Sequence, residues 1–444
     1  MQLFGTSRVN SAGHLEIGGC DAVALASEFG TPLYVFDEAL IRRNCRDYQQ
    51  GFAGLYPDVR VAYASKAFLI AAMATLVAEE GLDLDAVSGG EIYTALRGGF
   101  PAARILFHGN NKTAEEIRFA LENGVGRFVI DNLQELDLVE AAASALQRKA
   151  QVLLRVTPGI EAHTHEYIRT GQVDSKFGLV LENGQALEGV RRALRLPHIA
   201  LVGLHCHIGS QIFELDPFAG AADVMLRFMA DIRRETGATL TELDLGGGLG
   251  TRYVFGDDPP GIRALAEHVS GTIRQAAKEL DFPLPTLILE PGRSIVAEAG
   301  TTLYTVGAIK NIPGIRTYLS VDGGMGDNPR PALYGASYEA AIANRAAAIP
   351  ETQVAVAGRF CESGDMLIQD VLLQRPRPGD ILAVTATGAY NYSMASNYNR
   401  VGRPPVVFVS DGRADLVVRR ETYADMAALD LVPARLVPRI EVAS

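Results

Sequence analysis

One repeated unit limits what this chain can fold into. Between residues 59 and 290, short apolar runs alternate with longer amphipathic stretches. Eight such runs occur, at 59–63, 82–87, 104–108, 128–131, 152–156, 201–205, 242–245 and 286–290. They read as short buried strands. The stretches between them, among them 67–79, 114–123, 133–148, 218–234 and 262–280, space their apolar residues as helices do. Strands alternating with helices build a parallel sheet. Eight units in roughly 230 residues match a closed (β/α)8 TIM barrel, whose usual size is about 250 residues. An open doubly wound sheet is the rival. Against it, the Gly-rich turn follows the seventh strand instead of the first.

The rhythm changes beyond Arg293. Short strand patterns at 302–308, 316–321, 352–357, 381–386 and 406–410 follow one another with little helix between them, punctuated by Pro313-Gly and Arg377-Pro-Gly-Asp. A chain of 444 residues is long enough for two cores. The α/β reading is therefore a barrel over 33–295 and a second, mostly β, sandwich-like or barrel-like domain over 296–444. The lead-in at 1–32, with a strand-like Leu15-Glu-Ile and a helical 22–29, is assigned to the β domain.

A net charge of −11 with no long basic run argues against nucleic acid or an anionic membrane as partner. No uncharged stretch reaches membrane-spanning length, and Met1-Gln-Leu-Phe-Gly-Thr does not read as a signal peptide. The four cysteines, Cys20, Cys45, Cys206 and Cys361, form no CxxC pair, which suits free thiols in a reducing cytoplasm.

In a barrel the chemistry sits at the C-terminal strand ends, and every predicted strand end here carries polar groups. Lys66 follows the first; Asp85 and Ser88 mark the second, His108 and Asn110 the third, Asp131 the fourth and Arg155 the fifth. His205-Cys-His207-Ile-Gly-Ser210 closes the sixth, Asp244-Leu-Gly-Gly-Gly248 the seventh and Glu290-Pro-Gly-Arg293 the eighth. Burial at a strand end is expected to lower the Lys66 pKa and free its amine as a nucleophile. Gly246-Gly-Gly248 and Gly292 allow close backbone approach, and with the Ser210 hydroxyl they suggest a phosphate cup. Glu290 needs a cationic partner, either Arg155 or Arg293 or a protonated ring nitrogen on a ligand. His205 and His207 alternate on one face. A metal reading for this pair is set aside because no carboxylate or cysteine lies at a convincing spacing. His163 and His165 fall in the loop 160–171, a lid candidate.

Together, Tyr63-Ala-Ser-Lys66, His207-Ile-Gly-Ser210, Gly246-Gly-Gly248, Glu290-Pro-Gly-Arg293, Cys361-Glu362-Ser-Gly-Asp365 and Gly388-Ala-Tyr390 resemble the fold-type III pyridoxal phosphate decarboxylases, in the same order and over nearly the whole chain. The resemblance implies pyridoxal 5'-phosphate as cofactor and a homodimer with shared active sites. Lys66 would carry the cofactor, His207 would lie on its ring and Glu290 would pair with the ring nitrogen. Ser210, Gly248, Gly292, Arg293 and Tyr390 would hold the phosphate and cofactor. Arg293, Arg330 and Tyr334, with Tyr390 alongside, would bind a distal carboxylate of the substrate. Glu362 from the other subunit would bind its distal ammonium, and Cys361 from that subunit would sit near the reacting carbon. Lys176 and Asp365 would pair across the interface. Relatives acting on ornithine or arginine carry aspartate where Glu362 stands and lack the arginine and tyrosine of Arg330-Pro-Ala-Leu-Tyr334. The implied reaction is therefore decarboxylation of meso-2,6-diaminopimelate to L-lysine and CO2, the last step of lysine biosynthesis, with no metal.

Overall fold

The computed structural model describes residues 1–160 and 176–436. The loop 160–171 with His163 and His165 therefore lies almost wholly outside the described residues. Eight parallel strands close a ring: Val59–Ala64, Asp83–Ala86, Ile105–Phe107, Arg127–Ile130, Ala150–Thr157, Ile199–His205, Glu242–Asp244 and Thr286–Leu289. The eighth pairs back onto the first, with Leu287 opposite Val59 and Leu289 opposite Val61. The fourth and fifth pair through Phe128 and Val152. The closed barrel and the mostly β second domain are thus the architecture of this chain.

Strands covered on both faces need an apolar core on each side. Outside, they pack against the helices in one large buried cluster. Inside, Ala62, Leu106, Val129, Leu153 and Ile288, one from each of five strands, form a separate cluster that fills the barrel. Local sequence sets the strand-to-helix turns. Ser88 caps the helix Gly89–Arg97, Asn132 caps Leu133–Ala145, and Thr113 with Glu116 closes a capping box on Ala114–Asn123. Ser88, expected among the strand-end polar groups, thus has a structural use.

The helix expected at 67–79 begins only at Ala71. Ser65–Ala67 forms a single tight turn and Phe68 is extended, so Lys66 stands on a turn between strand and helix.

In the second domain the long strand Gly300–Ile312 pairs with Arg316–Val321, Ile381–Thr385 and Leu33–Asp37. Leu33–Asp37 also pairs in parallel with Val406–Ser410. This moves the expected domain boundary at 33. Residues 33–37 belong to the β domain, and the barrel segment starts with the helix Glu38–Gly51. The lead-in makes a small sheet of Arg8–Val9, Leu15–Ile17 and Cys20–Asp21. Leu15, Ile17 and Leu25 pack with Val35, Leu303 and Val407 of the β domain. No helix among the described residues is long and apolar enough to cross a membrane.

Candidate active site

A cavity of about 500 Å³ opens at the C-terminal ends of the barrel strands, where the β domain meets them. That volume suits one small ligand with a cofactor. Ten residues singled out from the sequence line it: Lys66, His207, Ser210, Gly248, Glu290, Gly292, Arg293, Arg330, Tyr334 and Tyr390. They come from both domains. Tyr390 is fixed on the barrel by its backbone N–H, which donates to the Ala67 carbonyl at 2.8 Å. Cys361 and Glu362 do not line this cavity. Both are exposed, in the turn after the strand Thr352–Ala357.

The floor of the cavity carries its own counter-charges. Lys66 Nζ lies 4.0 Å from Asp85 Oδ2. Desolvation pulls its pKa down, but Asp85, Tyr390 and Glu290 outweigh that, and the net shift is upward. The expectation of a lowered pKa therefore fails, because the strand end supplies carboxylates as well as burial. Glu290 is buried and pairs with neither Arg155 nor Arg293. His205 Nε2 bonds its Oε2 at 3.2 Å, and His108 Nε2 lies 2.6 Å from its Oε1. Burial would raise the Glu290 pKa, yet the two histidines hold it well below the usual carboxylate range. Asp244 beside it is pushed well up, by burial and then by Glu290. Burial lowers His205 to about 4. His207 is also held well down, by burial and then by Lys66 and Arg155, and its Nδ1 accepts from the Gly247 N–H at 3.3 Å. A neutral imidazole with one fixed edge can lie flat against an aromatic ring without adding charge.

His108, His205, Asp244 and Glu290 each present an atom within 4.8 Å of the others. The sequence-based reason for setting a metal aside, the lack of a carboxylate near His205, therefore does not hold. The carboxylates come from later strands. These groups already engage one another and the Gly246 N–H, which donates to Asp244 Oδ1 at 2.8 Å.

The rim is different. Arg293 and Arg330 are both buried, and among the described residues neither has an ion pair with a carboxylate. Arg293 Nη1 donates to Tyr253 Oη at 2.6 Å, and its Nη2 to Ser210 Oγ at 3.1 Å. Arg330 Nη1 donates to Tyr338 Oη at 2.7 Å. Tyr253 and Tyr338 were not among the sequence candidates. The only available signal was an aromatic five residues after the Gly-rich turn and another four after Tyr334. Asp365, expected to pair across an interface with Lys176, is buried in its own turn within one chain. It accepts from the Met325 and Phe360 N–H groups at 2.6 and 2.7 Å, while the Lys176 ammonium lies 4.9 Å from the Phe177 ring.

These residues fit a phosphorylated pyridine aldehyde. Glu290 Oε1 is a buried carboxylate oxygen with no aligned hydrogen bond. The Gly-rich turn is a cradle that a side chain would fill. At Gly248, with φ +122°, a Cβ would come within 2.4 Å of the Gly209 carbonyl oxygen. Lys66 opens into the same space.

Residues 38–297 match the family described as pyridoxal-dependent decarboxylase, pyridoxal binding domain. The chain is 53% identical over 431 residues to diaminopimelate decarboxylase from Bacillus subtilis, spanning 97% of this chain and 98% of that one. It is 44% identical over 424 residues to the enzyme of that name from Mycobacterium tuberculosis, spanning 94% of each. Among solved structures, diaminopimelate decarboxylase from M. jannaschii in complex with L-lysine superposes with a TM-score of 0.91 at 38% identity, covering 97% of this chain and 99% of that one. The Helicobacter pylori enzyme with L-lysine gives 0.83 at 32%, covering 92% and 99%. With these likenesses running through both domains, the chain belongs to the diaminopimelate decarboxylase family of pyridoxal-dependent decarboxylases.

Proposed function

We propose that the chain decarboxylates meso-2,6-diaminopimelate to L-lysine and CO2, with pyridoxal phosphate held in this cavity. One observation carries the choice of substrate. The cavity that contains Lys66 and Glu290 ends at two buried guanidiniums with no carboxylate of their own among the described residues. A substrate that keeps a second carboxylate after losing the first would supply the missing anion.

When bound, pyridoxal phosphate supplies an electron sink for the pair left behind by departing CO2. The residues divide the rest of the work. Lys66 would hold the cofactor through its amine. Glu290, held ionised by His108 and His205, would keep a proton on the pyridine nitrogen. His207 would pack against the ring. Ser210, Gly248, the Gly292–Arg293 backbone and Tyr390 would hold the phosphate end. Arg330, Arg293 and Tyr334 take the distal carboxylate. Lys66 or Cys361 returns a proton to the reacting carbon.

Cys361 and Glu362 belong to this scheme only if a second copy brings them to the cavity. Their exposure and their absence from the cavity of their own chain favour a homodimer with shared sites. Mixing Lys66→Ala with Cys361→Ala protein under subunit exchange then raises activity above the mean of the two variants, since each mixed dimer regains one intact site. Sites built from one chain would give no such rise. The four free cysteines support a reducing, cytoplasmic setting.

The deciding assay is CO2 release from meso-diaminopimelate with and without added cofactor, run beside L-ornithine, L-arginine and L-lysine. Cofactor-dependent release from diaminopimelate alone is expected. Release from ornithine or arginine instead would overturn the reading of the rim.

A further inference from the structure

Resting on the reading that Arg330 and Arg293 grip the distal carboxylate, we infer that Tyr253 is a positioning residue for both arginines and so sets the selectivity for a substrate that carries this carboxylate. Tyr253 does not line the cavity. It is buried behind the rim, in the loop between the seventh barrel strand and the helix Ile262–Glu279. It meets the two guanidiniums in different ways. Its hydroxyl accepts from Arg293 Nη1 at 2.6 Å. The face of its ring takes the Arg330 guanidinium, whose carbon lies 4.6 Å from the ring centre. The same ring meets Tyr338 edge-on at 5.5 Å and 86°, and the Tyr338 hydroxyl holds the far side of Arg330. Tyr390 also meets Arg293, whose guanidinium carbon lies 4.8 Å from its ring centre; Tyr253 hydrogen-bonds one arginine and takes the other on its ring face.

The need for such a group follows from the charges. Two buried cations facing one cavity repel each other and lose hydration, and among the described residues no carboxylate is paired with either. An aromatic face and a phenol oxygen offset part of that cost without adding a negative charge. A carboxylate at this place would neutralise the arginines permanently and compete with the substrate. A tyrosine keeps them aligned and still available.

The loop that carries Tyr253 is tied down on both sides. Gln211 Nε2 donates to the Thr251 carbonyl at 2.7 Å, and the Thr251 N–H donates back to Gln211 Oε1 at 3.2 Å. Thr251 Oγ1 donates to Glu298 at 2.8 Å, and the Tyr253 N–H to Asp257 Oδ2 at 2.9 Å. The ring is thus fixed from the barrel side and from the junction with the β domain.

The test uses two inhibitors of the holoenzyme that differ by a single group. L-lysine keeps the distal carboxylate; 1,5-diaminopentane is the same chain without it. Tyr253→Leu is expected to weaken lysine about tenfold or more and to raise KM for diaminopimelate similarly, with kcat little changed. Diaminopentane should bind as it does to wild type within about twofold. Tyr253→Phe, which keeps the ring and loses the hydroxyl, should show the same selectivity at smaller size and covers the case in which the leucine variant fails to fold. Equal weakening of both inhibitors would mean a merely structural residue and would overturn the inference, as would no weakening of either. Arg330→Leu serves as the control. If it discriminates lysine from diaminopentane and the Tyr253 variants do not, the inference alone falls. If it does not discriminate, the reading of the rim falls and the inference goes with it.

Discussion

The floor and the rim of the cavity handle charge in opposite ways. On the floor, each ionisable group has a partner from the chain itself. Lys66 faces Asp85, and Glu290 sits between His108 and His205. On the rim, Arg293 and Arg330 are buried against tyrosines and a serine, with no carboxylate beside them among the described residues. The difference corresponds to residence time. A group that stays through every turnover can be met by opposite charges and hydrogen-bonding groups that the chain holds in place. A group that must arrive and leave needs a site whose charge is left incomplete without it. This is the division that the proposed function requires, with the cofactor at the floor and the variable end of the substrate at the rim.

The harshest way to break this assignment is at the floor. Lys66→Ala should lower turnover by roughly 10³-fold or more, and the visible absorbance of bound cofactor should disappear. An unchanged spectrum in the purified variant would remove Lys66 from its role. A smaller effect is expected at the rim, where it should fall on affinity. Arg330→Leu removes one of the two guanidiniums that meet the substrate carboxylate, a loss of about 2–4 kcal/mol, so KM for diaminopimelate should rise about 30-fold or more. The cofactor spectrum should stay as in wild type, and kcat should change little. If the same substitution bleached the cofactor, floor and rim would be one network and the distinction would collapse.

Much of the floor was legible in the sequence because a barrel places strand ends in a known location, whereas Arg330, Tyr334 and Tyr390 of the rim came only through the family resemblance. Once the eight apolar runs were counted, the residue after each run was already a candidate. Tertiary pairing was not legible. Leu33–Asp37 precedes the first barrel helix, yet it pairs with Gly300–Ile312, far along the chain. Strands with exposed polar positions also escaped. In Met366–Leu373 the middle residues Gln369 and Asp370 face solvent, and Arg413–Val418 is an exposed edge. Glu290 was expected to need a cationic partner, from a neighbouring strand or a ligand. Sequence offered the nearby Arg293 and Arg155, whereas the register of the closed ring delivered His108 and His205 from the third and sixth strands. Tyr253 was missed because nothing in a loop sequence says which side chain folds back beneath an arginine.

The mildest test at neutral pH concerns how the floor is held together. His205 is buried and titrates at about 4, against about 6.5 in an unfolded chain. Between those values the unfolded chain binds a proton that the folded chain refuses. Stability should therefore fall as pH drops from about 6.5 to about 4, by about 3 kcal/mol across the window, and should be flat above it on this account. Glu290 acts in a different window. Its folded pKa is depressed, so its contribution is intact above the ordinary carboxylate value of about 4.3 and is lost only below it. The two contributions separate because one group is buried neutral and the other is buried charged. His205→Asn keeps a side-chain donor near Glu290 and removes the titration. In urea unfolding at a series of pH values, this variant should show a shallower decline between pH 6.5 and 4.5 than wild type, while the drop at lower pH persists. An identical slope in both proteins would mean that His205 is not the group held neutral, and that the charge on Glu290 is maintained from the His108 side of the floor.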